Sequence, residues 1–541
     1  MLKRVLAMSV LLAGSACAQS APSKALPKFQ AADVHTAPYR TNPFANGGVL
    51  RGNRYIWHQA TIVDLAAAAY GIDADMVQGG PPWLERDRFE VIGLADPKTS
   101  KADLKLMLQS LLADRFSLVL HEGEKPMPAY VLAVGKDNKP KLQESEGGNE
   151  DCAPVPPPPE QRDAPVDVKC RNQTMSDFAS TLHNFAGAYL DKPVIDKTGL
   201  KGTYDLELKW HPKAVYDRLG PADGISIFDA VEKQLGLKLT LETSPQHVWI
   251  VDSVSRQPTP NSPDLAKLLP TPPPAVFEVA TIKPSAPDTR SFGRINGNSV
   301  TAQGLPLKFL VTFAWDLNPN SNDNIVGAPS WFSDDKFDIV AKVSSDTPLS
   351  SGPQTGSIDF EDLRAMVKQL LIERFQMKVR TEDRPIPAYT LYSAKPKMKT
   401  ADPTSRTKCT EGPGPDGKDP RKATPILNRL VTCQNMTSAE IADELQHIAG
   451  GYIYGPVLDK SELQGSYDFT LSFSSVGRTN APSAPPPSGN PAASSDASAS
   501  DPSGALTLYD AVSRQLGLKL VKEKRPMPVL VIDSIQEKPI D

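Results

Sequence analysis

One phrase occurs four times along this chain of 541 residues. It reads FSLVLHEGEKPMPAYVLA at residues 116–133, FQMKVRTEDRPIPAYTLY at 375–392 and LGLKLVKEKRPMPVLVID at 516–533. The copy at 235–252, LGLKLTLETSPQHVWIVD, is degenerate because TSPQHV replaces the P-x-P segment. Self-similarity of this kind indicates a fold of repeated structural units, and a chain of this length needs more than one core.

The repeat first divides the chain into two halves. Residues 170–210 align with 433–473 without a gap at a shift of 263, and PPWLERDRFEV aligns with APSWFSDDKFDI further upstream. The identical positions in the first alignment include Cys170, Asn172, Thr174, Ala179, Leu182, Gly187, Pro193, Asp196, Lys197, Gly202, Tyr204 and Asp205. We therefore predict two homologous halves, 27–254 and 275–537, joined by a proline-rich and extended linker at 255–274.

Each half divides again, into 27–140 and 170–254 in the first and into 275–400 and 433–537 in the second. Every unit reads as helix, proline loop, strand, helix, strand, turn, strand, which predicts an α+β fold with small, mostly antiparallel sheets. The prolines of the P-x-P segments are expected at hairpin tips or sheet edges, because proline cannot donate to a ladder. These are Pro126, Pro128, Pro385, Pro387, Pro526 and Pro528. Two insertions, 143–168 and 480–504, are predicted to be disordered from their composition.

The N-terminus predicts export. MLKRVLAMSVLLAGSACAQ has two early cations, an apolar run and small residues, which is the pattern of a signal peptide ending at residue 18. The alternative is a lipoprotein in which Cys17 is lipidated and retained. Either way we expect a periplasmic or extracellular protein with no transmembrane segment after cleavage, since no later apolar stretch is long enough. The formal charge of −4 gives no electrostatic reason to expect nucleic acid as a partner.

Four further cysteines, Cys152, Cys170, Cys409 and Cys433, form an even set in a chain predicted to be exported. An even number in that context indicates disulfides, of which three pairings are possible. The repeat favours Cys152–Cys170 and Cys409–Cys433, because the equivalent cysteines flank the same excursion in both halves. A metal site would need histidine or C-x-x-C partners, and none stands at these positions.

Several segments of the second half resemble a bacterial family classed as a domain of unknown function. They are FEVATIKPS, GAPSWFSDDKFDIVAK, LLIERFQMKVRTEDRPIPAYTL, DKSELQGSYDFTLSF and DAVSRQLGLKLVKEKRPMPVLVIDSIQEKP. The resemblance covers each half nearly end to end, although FQAADVHTA replaces FEVATIKPS in the first. It implies a soil-associated exported protein of a kind also found fused behind antibiotic-sensor-type membrane metallopeptidases. The topology is also similar to small periplasmic α/β modules that bind peptides or proteins, which is an analogy of fold alone.

The motif D-K-x-x-L-x-G-x-Y-D is the sharpest candidate for chemistry. It comprises Asp196, Lys197, Gly202, Tyr204 and Asp205, and again Asp459, Lys460, Gly465, Tyr467 and Asp468. Two carboxylates near a tyrosine could hold a cation or act as acid and base. The structural alternative, which we prefer, is a turn that enters a strand, with aspartate as a cap and glycine at positive φ.

Other features argue against an enzyme. The seven histidines have no histidine at the equivalent positions of the other half, so we expect scattered surface residues rather than a shared catalytic base. Trp83 and Trp331 are expected to fill the cores, although an exposed tryptophan would suit a glycan or peptide groove. We therefore predict no cofactor and no metal. The preferred function is recognition of an envelope protein or peptide by sheet-edge pairing. The alternatives are a secreted hydrolase with a carboxylate-based site and a structural envelope spacer.

Overall fold

A computed structural model describes residues 26–40, 43–135, 139–155, 163–272, 275–344, 358–414, 417–479 and 504–540. The predicted signal peptide with Cys17, and nearly all of the insertion at 480–504, lie outside these residues. No helix within the described ranges is long and apolar enough to cross a membrane.

The described residues of the first half form twelve strands and five α-helices. Its strands are β1 (Ala31–Thr36), β2 (Asn46–Arg51), β3 (Arg54–Thr61), β4 (Val77–Gly79), β5 (Arg88–Leu94), β6 (Val119–Val134), β7 (Gln143–Glu144), β8 (Asp151–Val155), β9 (Val166–Gln173), β10 (Val194–Asp196), β11 (Tyr204–Trp210) and β12 (Leu237–Ser253). Its helices are α1 (Ile62–Tyr70), α2 (Lys101–Phe116), α3 (Met175–Phe185), α4 (Lys213–Asp223) and α5 (Ile227–Leu235). A short helix, α6 (Leu265–Leu268), follows in the linker.

The described residues of the second half form twelve strands and four α-helices, one α-helix fewer than in the first half. Its strands are β13 (Phe277–Pro284), β14 (Phe292–Asn296), β15 (Ser299–Pro306), β16 (Ile325–Val326), β17 (Lys336–Val343), β18 (Lys378–Ser393), β19 (Lys399–Thr400), β20 (Lys408–Glu411), β21 (Arg429–Thr437), β22 (Val457–Asp459), β23 (Ser466–Phe473) and β24 (Leu518–Ser534). Its helices are α7 (Leu307–Ala314), α8 (Phe360–Arg374), α9 (Ser438–Ile448) and α10 (Leu508–Ala511), the last continuing as a π-helical turn over Val512–Leu516.

Four quarters of the chain have one strand order. We name them quarter 1 (residues 31–116), quarter 2 (143–235), quarter 3 (277–374) and quarter 4 (399–516). Their sheets run β1-β5-β3-β2, β7-β11-β9-β8, β13-β17-β15-β14 and β19-β23-β21-β20. One long strand follows each quarter, and these strands meet in two further sheets, β4-β12-β6-β10 and β16-β24-β18-β22. The α+β class and the two-copy repeat predicted from the sequence are therefore present.

Most helices begin at a side-chain cap. Ser or Thr precedes an acidic residue by three positions at α1, α2, α3, α5, α9 and α10, and its hydroxyl accepts the backbone N–H of that acidic residue. Such caps satisfy N–H groups that have no partner inside the helix. Helix α7 is an exception, because Pro306 precedes it without a side-chain cap.

The repeated phrase is one continuous strand and not the hairpin that we predicted. Strands β18 and β24 pair antiparallel along their lengths, with Pro385 opposite Pro526. Pro387 and Pro528 fall on the same alternating set of pairs. That set is the one whose N–H groups point away from the partner strand, so residues without an N–H are tolerated. The short strands β16 and β22 pair only beyond the prolines, which leaves the prolines at a ribbon edge.

The insertion at 143–168, predicted to be disordered, is partly ordered. Strand β8 pairs with β9, and Cys152 lies directly opposite Cys170. Cys409 and Cys433 face each other in the same way between β20 and β21. Both predicted cysteine pairs lie at disulfide distance, with Cα atoms 3.9 and 4.1 Å apart. A cross-strand covalent link supplies the order that composition alone did not indicate.

Each quarter has its own hydrophobic core, yet the quarters group unevenly. Residues up to Leu120 and from Val251 onward form one compact unit, while His121–Ile250 form another. Quarters 1, 3 and 4 thus share the first unit. The linker belongs to that unit and lies along the free edge of β1, where Asn261 Oδ1 accepts the backbone N–H of Val34 at 3.1 Å.

Candidate functional site

A carboxylate holds a β-bulge in every quarter. In each case it accepts the backbone N–H of a residue at positive φ in the neighbouring strand, where the register shifts. The pairs are Asp205 with Asn172 (2.9 Å, φ 51°), Asp338 with Gly304 (2.9 Å, φ 60°), Asp468 with Asn435 (2.9 Å, φ 52°) and Glu90 with Gln59 (3.1 Å, φ 53°). The bond satisfies an N–H that the bulge removes from the ladder.

The predicted D-K…G-x-Y-D residues occupy these bulges and the turns beside them. Asp196 Oδ1 accepts the N–H of Thr198 at 2.8 Å, and Asp459 Oδ1 accepts that of Ser461 at 2.8 Å. Tyr204 donates its hydroxyl to the carbonyl of Lys201. Tyr467 likewise donates its hydroxyl to the carbonyl of Gln464. The backbone N–H groups of Lys197 and Lys460 donate to the carbonyls of Leu132 and Leu391. Gly202 and Gly465 have positive φ angles of 95° and 83°. The aspartates and tyrosines of the motif thus bond to backbone groups of turns and bulges, and the lysines bond through their own N–H groups.

Quarter 1 departs from this pattern in a way that creates a buried ion cluster. Its carboxylate is Glu90, which is one methylene longer than aspartate, and its second oxygen lies 2.5 Å from His58 Nδ1. The other imidazole nitrogen of His58 lies 3.6 Å from Asp359 Oδ1 in quarter 3. Asp359 also lies 3.3 Å from Arg51 Nε and caps helix α8. Quarter 1 is thereby joined to quarter 3 through buried charges.

His58 is cationic at neutral pH because of these neighbours. Burial alone would lower its pKa, but hydrogen bonds and charges from Asp359 and Glu90 outweigh burial and raise the pKa to about 10. For Asp359, burial is likewise outweighed by His58 and Arg51, and its pKa is lowered. Our prediction that the histidines are surface residues is wrong for His58, whose side chain is 19% exposed. The signal in the sequence was Phe-Glu where the other quarters have Phe-Asp or Tyr-Asp.

Two arginine–carboxylate pairs lie beside this cluster. Arg40 donates two hydrogen bonds of 2.7 Å to the carboxylate of Glu361. Arg364 Nη1 lies 2.5 Å from Asp316 Oδ1, and the guanidinium carbon of Arg364 is 5.6 Å from the ring centroids of both Phe313 and Phe360. Cation–π contacts of this length fix the guanidinium against the aromatic rings.

These side chains surround an open cleft of about 470 Å³. Its aromatic lining consists of Phe44, Phe309, Phe313 and Phe360, and Leu317 and Pro319 add apolar surface. Quarters 1, 3 and 4 all contribute residues to the cleft. Phe44 and Phe309 are 53% and 44% exposed, and the Phe313 and Phe360 rings meet edge-to-face at 5.3 Å. The volume lies within the range typical of small-ligand sites.

The aromatic wall arises from one helix that differs from its counterpart in the first half. The bulge residues Gln59 and Gly304 align α1 with α7, which places Phe309 at the position of Asp64 and Phe313 at that of Ala68. Asp64 forms a capping box with Thr61 in α1. Helix α7 lacks this cap and presents two phenylalanines one turn apart instead.

A family described as "protein of unknown function (DUF3738)" matches residues 63–254 and 308–535. The chain belongs to this family. It carries the DUF3738 domain in two copies, as the resemblance implied. No curated protein and no solved structure matches the chain.

The DUF3738 cleft offers apolar surface and paired charges rather than a reactive group. His58 is protonated, and the pKa of Glu361 is lowered because its contacts with Arg40 outweigh burial. A general base needs a free, deprotonated group near its operating pH. The described ranges also hold no group of three His, Cys, Asp or Glu side chains placed to bind a metal. Trp83 and Trp331 are partly buried against the cores of quarters 1 and 3.

Proposed function

We propose that this DUF3738 protein is an exported recognition protein of the cell envelope that binds its ligand in the aromatic cleft without catalysing a reaction. The observation that carries the proposal is the replacement of Asp64 and Ala68 in α1 by Phe309 and Phe313 in α7. Helix α7 lacks a cap of a kind usually worth about 1 kcal/mol and has an aromatic ring in the cleft at the position of the capping aspartate. Phe313 also packs against the quarter-3 core, whereas Phe309 is 44% exposed, so core packing does not account for Phe309.

The cleft suits an apolar group that also carries a hydrogen-bond acceptor. Phe44 and Phe309 leave about half of their surface exposed, and a ligand would remove that surface from water. The Nε of Arg364 is buried and has no hydrogen-bond partner in the described part of the chain. A carbonyl or carboxylate of the ligand would satisfy it. A peptide with a large apolar side chain meets both requirements.

Export is part of the proposal on two grounds. The N-terminal sequence has the pattern of a signal peptide, and the two cysteine pairs at disulfide distance suit an oxidising compartment. Sheet-edge pairing stays a second mode of binding. Strand β14 supports it, because β14 is an edge strand whose five residues are all exposed.

The test is a fluorescence titration with 1-anilinonaphthalene-8-sulfonate, an aromatic anion that reports apolar binding sites. We expect saturable binding to the wild-type protein and loss of binding in the double variant Pro306→Thr/Phe309→Asp. This variant restores the α1 capping box, so its stability should be unchanged or about 1 kcal/mol higher.

The control is Phe292→Asp, because Phe292 is 43% exposed and does not line the cleft. This variant should bind the dye like the wild type. Equal binding by the wild-type protein and the double variant would refute the cleft as the site. A panel of peptides, esters and oligosaccharides tests for catalysis. If the wild-type protein turned over one of them and the double variant did not, the function of the cleft would be catalysis and not recognition.

A further inference from the structure

Quarter 1 uses one face to bind the second half. At one end of this face, Arg86 donates to Asp443 at 3.0 Å and to Glu444 at 2.6 Å, both on helix α9. At the other end, Arg51 of strand β2 is 6% exposed and its Nε lies 3.3 Å from Asp359 of quarter 3, while Leu50 beside it is 5% exposed and belongs to the core of quarter 1. The groove beside Arg86 has a volume of about 610 Å³ and is bordered by α9.

Quarter 3 has the same face, and it is uncovered. Its groove, about 390 Å³ in volume, is lined by three acidic residues, Asp334, Asp335 and Glu537, and by two basic ones, Lys336 and Lys538. Strand β14, the counterpart of β2, is exposed along its whole length. Ile295, which aligns with Leu50, is 40% exposed, and Phe292 is 43% exposed.

Three charged positions around the two grooves are inverted, while Lys336 keeps the positive charge of Arg88 and Asp335 the negative charge of Asp87. The alignment of Trp83 with Trp331 places Asp334 at the position of Arg86. The bonds Ser255 N to Phe116 O and Gln536 N to Phe375 O are equivalent, and they place Glu537 at the position of Arg256. Thr36 pairs with Phe89, and Pro284 pairs with Phe337 at the equivalent place, so Thr36 aligns with Pro284. Four residues further on, Asp288 therefore stands at the position of Arg40. The groove that binds an acidic helix in quarter 1 therefore carries carboxylates in quarter 3.

We infer that the quarter-3 face is a docking surface for a partner protein that presents a helix with Arg or Lys side chains. The helix would lie where α9 lies against quarter 1, with its cations against Asp334 and Glu537. A second copy of this chain does not fit, because its α9 carries Asp443 and Glu444 and like charges would meet. This inference does not depend on the aromatic cleft.

Two stapled helical peptides test the inference against the full-length protein. The first has the α9 sequence TSAEIADELQHIAG with Asp443→Arg and Glu444→Arg, and the second has the unchanged sequence. By calorimetry we expect the arginine peptide to bind at least about tenfold more tightly than the unchanged peptide, and we expect added salt to weaken the binding of the arginine peptide. In the variant Asp334→Arg/Glu537→Arg the preference should reverse.

Both substituted residues border an open groove, so the double variant should melt like the wild type. Asp334→Asn is a second, milder variant, and we expect its affinity for the arginine peptide to be intermediate. The inference is wrong if the arginine peptide does not bind. It is also wrong if both peptides bind equally or if the substitutions leave the preference unchanged. A change in the dye titration of the cleft is not expected in these variants, which separates this surface from the proposed ligand site.

Discussion

Nδ1 of His58 lies 2.5 Å from Oε2 of Glu90, while Oε1 of the same carboxylate accepts the N–H of Gln59. One side chain thus holds a bulge and also fixes a buried imidazolium. In the other three quarters the equivalent residue is aspartate. Glu90 is one methylene longer than aspartate and contacts His58, and His58 in turn lies beside Asp359 of quarter 3.

We predict that this imidazolium makes stability depend on pH. The pKa of His58 is about 10 in the folded protein and 6.5 as its ordinary value. Its contribution is fully present below pH 6.5 and is lost as the pH rises through 10. The slope for one proton is about 1.4 kcal/mol per pH unit. Urea unfolding at pH 7 to 10 should show the stability advantage of wild type over His58→Gln shrinking with pH. A constant difference would contradict the assignment.

The bulge carboxylates should be structural. Asp338 accepts hydrogen bonds from Ser285 Oγ at 2.6 Å and from Gly304 N at 2.9 Å. Asp338→Ala should lower the free energy of unfolding by about 1 kcal/mol because these groups lose their acceptor. Asp338→Asn keeps an acceptor oxygen and is the matched control, with a smaller loss expected in urea denaturation. An alanine variant as stable as the wild type would argue against this role.

Replacing the four motif aspartates, Asp196, Asp205, Asp459 and Asp468, by asparagine tests the D-K…G-x-Y-D motif. We expect a lower melting temperature and unchanged dye binding, because these residues cap turns and bulges and do not line the cleft. Calorimetric melting and the dye titration measure the two effects separately. Loss of an activity at an unchanged melting temperature would instead indicate a catalytic motif.

The cysteine pairs should be bonded in protein isolated from an oxidising compartment. Non-reducing peptide mapping is expected to find Cys152–Cys170 and Cys409–Cys433, whose partners are separated by 18 and 24 residues. Each closed loop of this size stabilises by about 3 kcal/mol in the chain-entropy model. Cys409→Ser/Cys433→Ser should therefore melt earlier than the wild type. A pair that joins the two halves, or four free thiols, would overturn the assignment.

Excision of quarter 2 tests how the chain divides. Residues 121–250 form a separate compact unit, and the boundaries fall in the neighbouring strands β6 and β12. Joining Leu120 to Val251 through an Asn-Gly turn should leave a protein that melts cooperatively, because three cores and the ion pairs of Arg40 and Arg86 are retained. The control is the fragment 27–254, the first half predicted from sequence, in which those arginines lose their partners. Cooperative melting of the fragment alone would favour division by halves.

The sequence by itself determined the features that are local or repeated. Two copies of one domain, the α+β class and the cysteine pairing follow from self-alignment, and the turn at Asp459 follows from the Asp-to-Gly spacing. These features depend on residues close together in the chain or on a comparison within it. Hairpin tips or sheet edges at Pro385 and Pro526 were predicted from the same local rules, and the structure places these prolines at an edge. The strands continue there because alternation places every proline N on the unpaired side of the ribbon.

Only the tertiary structure decided the candidate site. His58 and Asp359 are about 300 residues apart in sequence, and Arg40 is equally far from Glu361. No periodicity or spacing brings them together, since their contact depends on quarter 1 packing against quarters 3 and 4. The raised pKa of His58 has the same origin, because it results from two carboxylates that approach one buried ring. The sequence did contain Glu90 and Phe309 as departures from the repeat, but their meaning required a structure that shows which side chains each one contacts.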